Sequence, residues 1–143
     1  MRQKLSEVDR DIMIPQYWRR AAYTRTASPV NLTVVAGKTA LITTPITLTE
    51  TSHVKVFGKA YVYTAVNDWA RLELTVARDA AELDYGTAIA HNNAGNSLWG
   101  NAVALGEDNS LVAGAYNFYL YGQAYINTLG IVDMVLAIDI TRA

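Results

Sequence analysis

A chain of 143 residues, 51% hydrophobic and only 17% charged, is one domain's worth of sequence. It is thinly charged against the roughly 25% of an average soluble domain. It has no cysteine, which excludes a disulfide framework and thiol chemistry, and no window approaches the ~18 consecutive apolar residues of a helical membrane span. The net charge of −1 conceals a split. Residues 1–25 carry Arg2, Lys4, Arg10, Arg19, Arg20 and Arg25 against Glu7, Asp9 and Asp11, a balance of +3, which leaves −4 for the remainder. Such asymmetry marks an arm with its own partner. Six basic residues mixed with three acids make no continuous basic stripe, so nucleic acid is not the expected partner.

The opening MRQKLSEVDRDIMIPQYW has no apolar run of the kind a secretory signal carries, so synthesis in the cytosol is expected. Ser6 and Asp9 offer a weak capping box for a short helix over residues 6–14, and Pro15 ends it. Tyr17, Trp18 and Tyr23 then lie among Arg19, Arg20 and Arg25 with no clear period. This aromatic and basic stretch is expected to lie along a partner subunit. Ser28-Pro29 closes the arm, because proline pushes the preceding residue toward extended geometry. The predicted division is therefore an extended arm over 1–29 and a β-domain over 30–143.

From Val30 onward, short alternating segments separated by turn formers read as an all-β sandwich or barrel. The predicted strands cover 30–36, 39–48, 53–65, 70–78, 86–91, 97–105, 114–127 and 131–142. Pro45 assigns the second to a sheet edge or a bulge, since proline cannot donate to a ladder. The third places Val54, Val56, Gly58, Ala60 and Val62 on one face and His53, Lys55, Phe57, Lys59, Tyr61 and Tyr63 on the other. Leu72, Leu74 and Val76 face the core from the fourth. In the last, Val132, Met134, Leu136, Ile138 and Ile140 turn inward while Asp133 and Asp139 point away. Eight strands without a helix fit an antiparallel two-sheet jelly roll.

The penultimate strand, AYNFYLYGQAYIN, carries the clearest signal. One face holds Tyr116, Phe118, Leu120, Gly122, Ala124 and Ile126, the composition of a core. The other presents Asn117, Tyr119, Tyr121, Gln123, Tyr125 and Asn127. Tyrosine combines large apolar area with a polar tip and is enriched at interfaces. Tyr61, Tyr63, Tyr119, Tyr121 and Tyr125 are therefore the predicted oligomer contact, provided that both strands share a sheet. A ligand platform and plain exposure are the other readings of these rings.

Chemistry leaves no comparable pattern. His53 and His91 lack strand-spaced partners of ligand type. Glu82 with Asp84, and Glu107 with Asp108, are adjacent loop acids rather than carboxylates held across a cleft. No nucleophile elbow, phosphate loop or dinucleotide fingerprint occurs. The expectation is a protein that is not an enzyme and takes no cofactor and no metal.

The run VAGAYNFYLYGQAYIN, followed by the terminal VDMVLAIDITRA, resembles trimeric jelly rolls of the tumour-necrosis-factor and complement-head kind. That resemblance implies a homotrimer with Tyr61, Tyr63, Tyr119 and Tyr121 packed about the threefold axis. With its basic-aromatic arm and no cysteine, the whole chain looks like a capsid decoration protein of tailed phages. This implies a structural virion protein that is made in the host cytoplasm, binds the major capsid protein on the outer shell surface and stabilises it. Tyr17, Trp18, Arg19, Arg20, Tyr23 and Arg25 would then meet the capsid, with no nucleic acid or membrane involved. The alternative is a receptor- or carbohydrate-binding head of a phage tail fibre, for which Trp99 beside the Asn-rich stretch 91–97 is the indicator residue.

Overall fold

Period-two alternation of apolar and polar side chains builds ten antiparallel strands in the computed structural model, which describes residues 18–93 and 96–143. They are β1 (Arg19–Thr26), β2 (Val30–Leu32), β3 (Thr39–Leu48), β4 (Ser52–Tyr63), β5 (Trp69–Arg78), β6 (Ala81–Asn93), β7 (Asn96–Leu98), β8 (Gly100–Leu111), β9 (Gly114–Tyr125) and β10 (Leu129–Arg142). One turn of 3₁₀ helix, Val34–Ala36, replaces the end of the first predicted strand.

Two five-stranded sheets face each other. One runs β1-β10-β4-β8, with β2 also paired to β10; the other runs β3-β9-β5-β6-β7. They are called here the β10 sheet and the β9 sheet. Along the chain, β3, β4 and β5 alternate between the sheets, as do β8, β9 and β10. This is the antiparallel two-sheet jelly-roll arrangement. Each sheet turns one set of alternate side chains inward. Val54, Val56, Ala60 and Val62 of β4, together with Met134, Leu136 and Ile138 of β10, meet Leu72, Leu74 and Val76 of β5 and Phe118 and Leu120 of β9 in one core.

Along one side the sandwich is closed by backbone contact between β6 and β8. A Cβ at Gly86 would overlap the Val103 carbonyl, and one at Gly100 would lie 2.5 Å from the Ile89 carbonyl oxygen. Only glycine permits strands to approach so closely. The Asp84 carboxylate accepts the Leu105 N–H at 2.8 Å and fastens the same seam.

The segment 19–26, predicted as part of a free arm, is instead β1 of the β10 sheet, and β2 pairs with the same strand. The strands on either side of residue 29 therefore belong to one sheet. The reason lies in distant charge matching. Arg20 donates to Asp139 at 2.5 Å, and Arg25 makes a two-pronged contact with Asp133 at 3.0 and 2.9 Å. Ala21 and Ala22 pack against the core. The helix predicted over 6–14 and the partner contact assigned to Tyr17 lie outside the described residues.

Two smaller corrections concern facing. Ile126 was assigned to the core but lies beyond the end of β9, exposed and at φ 75°. A register irregularity between Ile131 and Asp133 puts Ile131, rather than Val132, in the core. Pro45 sits on β3, the edge strand of the β9 sheet, as predicted.

Candidate functional site

The five interface tyrosines do not form one patch. Tyr61 and Tyr63 lie on β4 in the β10 sheet, whereas Tyr119, Tyr121 and Tyr125 lie on β9 in the other. All point away from the core, so they occupy opposite outer faces of the sandwich. Sequence periodicity gave the facing of each strand, but crossovers decide which strands become neighbours. That pairing removes the single shared interface.

On the β10 sheet the register aligns four outward residues at a time. One row is Arg20–Asp139–Lys55–Glu107, alternating in sign. The next is Tyr23–Ala137–Phe57–Leu105, apolar throughout, and then comes Arg25–Val135–Lys59–Val103. Beyond it Asp133, Tyr61 and Asn101 align. Between the Tyr23 side and the Tyr61 side lies an open groove lined by Tyr23, Arg25, Phe57, Lys59, Tyr61, Asn101, Asp133 and Val135. Trp99 stands at its end, 5.1 Å from the Tyr61 ring and stacked on Tyr63 at 5.2 Å. The hydrogen bond from Arg25 holds the Asp133 carboxyl below its ordinary range and raises the guanidinium in turn. Trp18 packs under Lys55, whose ammonium lies 4.3 Å from the ring centroid.

Trp18, Arg20, Tyr23 and Arg25, assigned from sequence to a capsid contact, are thus tied into this face. Arg19 pairs in register with Ile140 at its border. On β8, at the opposite edge of the same sheet, Val103 and Leu105 were not singled out in the sequence. They are 50% and 56% exposed and form a ridge on the closed seam with Ile89, itself 50% exposed.

The outer face of the β9 sheet has a different composition. Its rows are Tyr121–Thr75–Tyr85, Gln123–Glu73–Thr87 and Tyr125–Arg71–Ile89, followed by Trp69–His91–Leu98. Tyr119 and Tyr121 stack at 5.2 Å. Cations lie over two rings: Lys38 is 5.1 Å from the Tyr121 centroid and Arg71 is 4.5 Å from that of Tyr125.

The remaining chemical candidates have structural partners. His53 Nδ1 accepts the Ser110 N–H at 3.1 Å, and His91 packs on Trp69 at 4.1 Å. Glu82 pairs with Lys38, Glu107 with Lys55 and Asp108 with Arg78. Among the described residues no three His, Cys, Asp or Glu side chains converge as metal ligands. No helix there is long and apolar enough to cross a membrane.

No family model and no curated protein matches the chain. Among solved structures it is similar to the EclA C-terminal domain, a sugar-binding protein, with 8% identity, 80% of this chain and 77% of that one covered, and a TM-score of 0.38. It is also similar to the VP2 protein of infectious bursal disease virus in derived T=1 particles, at 11% identity, with 87% and 40% covered and a TM-score of 0.33. A VP2 subviral particle gives 11%, 87% and 41%, with a TM-score of 0.31. The chain spans about two fifths of VP2.

Proposed function

We propose that this chain is a self-associating structural protein of a virion, a homotrimer seated on the outer surface of a capsid as a decoration protein. The observation that carries self-association is an apolar row across the outer face of the β10 sheet. Behind it lies the core; in front runs Tyr23–Ala137–Phe57–Leu105, with Val135 and Val103 in the next row beside Arg25 and Lys59. Charged residues flank that row, Arg20, Asp139, Lys55 and Glu107 on one side and Arg25 and Lys59 on the other, in the pattern of an apolar centre with a polar rim. An apolar patch of this extent on a sheet already covered behind calls for a protein partner.

The shape supports a ring. The groove on the β10 sheet is concave, and the adjacent β6–β8 seam presents the ridge of Val103 and Leu105. A ridge of one copy entering the groove of the next is a heterologous contact, and such contacts close into rings when the rotation allows. Three copies is the number implied by the resemblance to trimeric jelly rolls. With Arg20 and Arg25 held by Asp139 and Asp133, any reach toward neighbouring capsid subunits falls to residues 1–17. There Arg2, Lys4 and Arg10 are offset by Glu7, Asp9 and Asp11, so charge alone would not drive the contact.

Light scattering on the purified chain tests the first half, and co-sedimentation with shells of the major capsid protein tests the second. The expected mass is three times 15.7 kDa, falling toward one protomer in Leu105→Asp. A monomeric parent at micromolar concentration removes the proposal. A trimer that stays in the supernatant removes the capsid role alone.

A further inference from the structure

The two outer faces differ at their centres, and that difference assigns them different partners. A protein interface is depleted of charge at its core, and the central row of the β10 face, Tyr23–Ala137–Phe57–Leu105, carries none, with Arg25 and Lys59 entering in the next row. The centre of the β9 face is instead the polar row Gln123–Glu73–Thr87, with aromatic rows on both sides. Tyr121 and Tyr85 border it on one side, Tyr125 on the other. Trp69, 45% exposed, extends the aromatic strip. Strand geometry places Tyr121 and Tyr125 ~13 Å apart with Gln123 midway, and sets Glu73 ~5 Å across from Gln123.

We propose that this face is a binding platform for an uncharged oligosaccharide lying along β9 and β5. A sugar ring has one face lined by C–H groups, which meets the electron-rich face of an aromatic ring, and an equator of hydroxyls. The Gln123 amide both donates and accepts, and the Glu73 carboxylate accepts. Set side by side, these planar groups match a pair of neighbouring hydroxyls. The charge pattern fits an uncharged ligand. Lys38 pairs with Glu82 at 3.6 Å, while Arg71, lying over Tyr125, is offset by Glu73 beside it on β5. Neither sign prevails to select an anion or a cation. The rings are held in place by one another and by these cations, so little rotamer freedom is left to lose on binding.

The ridge and groove proposed for self-association belong mainly to the β10 sheet and leave β9 and β5 facing outward, so the platform does not depend on that reading. The test is an array of neutral and acidic oligosaccharides probed with the full chain, followed by calorimetric titration of the brightest glycan. A neutral oligosaccharide is expected to bind, with Tyr121→Ala and Gln123→Ala each weakening it about tenfold. Both side chains lie outside the core, and circular dichroism confirms that each variant is folded. Leu105→Asp should lower the molecular mass and leave per-site affinity unchanged, so failure of one proposal is distinguishable from failure of the other. A blank array, binding confined to acidic glycans, or full affinity in both folded variants overturns the platform.

Discussion

Replacing Gly86 by alanine tests the closed seam on which the exposed ridge depends. The added methyl would overlap the Val103 carbonyl and crowd the Val103 carbonyl carbon and amide nitrogen as well. All three are backbone atoms, so relief requires β6 and β8 to move apart rather than a side chain to swing. Overpacking of this kind costs about 1–3 kcal/mol. For a domain of this size that is a fall of roughly 3–15 °C in the unfolding midpoint. Gly58→Ala is the internal comparison. Its Cβ would crowd the Leu120 Cδ1 and Val76 Cγ1 methyls, at 2.6 and 2.7 Å, side-chain ends able to yield, while the nearest backbone atom beyond its chain neighbours, the Ala104 carbonyl oxygen, lies at an ordinary 3.9 Å. Differential scanning calorimetry should therefore rank Gly86→Ala below Gly58→Ala, with both below the parent. If Gly86→Ala melts with the parent, or above Gly58→Ala, the two sheets do not close by backbone contact and the ridge is not rigid.

Three further outcomes follow from the geometry. The Arg25 contact lowers the folded-state pKa of Asp133, so its stabilisation is complete above the unfolded value of about 3.9 and disappears as pH falls through the folded one. Asp133→Asn should melt below the parent at pH 7, and the gap should close as pH falls through the lowered folded-state value; a gap that persists in strong acid refutes the pair. Deleting residues 1–25 removes the pairing of β1 from Arg19 to Arg25 and should cost at least ~3 kcal/mol at ~0.5–1 kcal/mol per lost ladder bond, read from urea titration. Phe118→Ala, truncating the largest fully buried side chain, should cost about 3–5 kcal/mol in the same titration, and a loss under 1 kcal/mol would mean that β9 does not face the core.

Strand existence and facing were legible because both depend on local alternation. The prediction over 39–48 coincides with β3, and the inward sets of β4 and β5 are those expected. Residues 19–26 were misread because their charges look solvent-bound until Asp133 and Asp139, more than a hundred positions away, are brought alongside by β10. The same blindness to long-range pairing merged Tyr61 with Tyr121. Facing is set by neighbours in the chain, whereas sheet membership is set by crossovers that leave no periodic trace. β6 and β8 ran longer than predicted, since Gly86 and Gly106 read as punctuation in sequence but serve as points of close approach. The ridge residues Val103 and Leu105 and the groove residue Val135 gave no warning, because single valines and leucines on nominally outer positions are ordinary.

The borders of the sheets determine what kind of assembly this molecule can enter. β3 carries Pro45 and a break in register between Ala40 and Ile42, and β7 is only three residues long. β1 is interrupted between Arg20 and Ala22, while β8 is sealed against β6. An incoming strand thus finds no long, regular row of free amides to extend. Growth by ladder addition, the route to fibres, is disfavoured at the described rims, so any contact between copies would fall to side chains on the broad sheet faces.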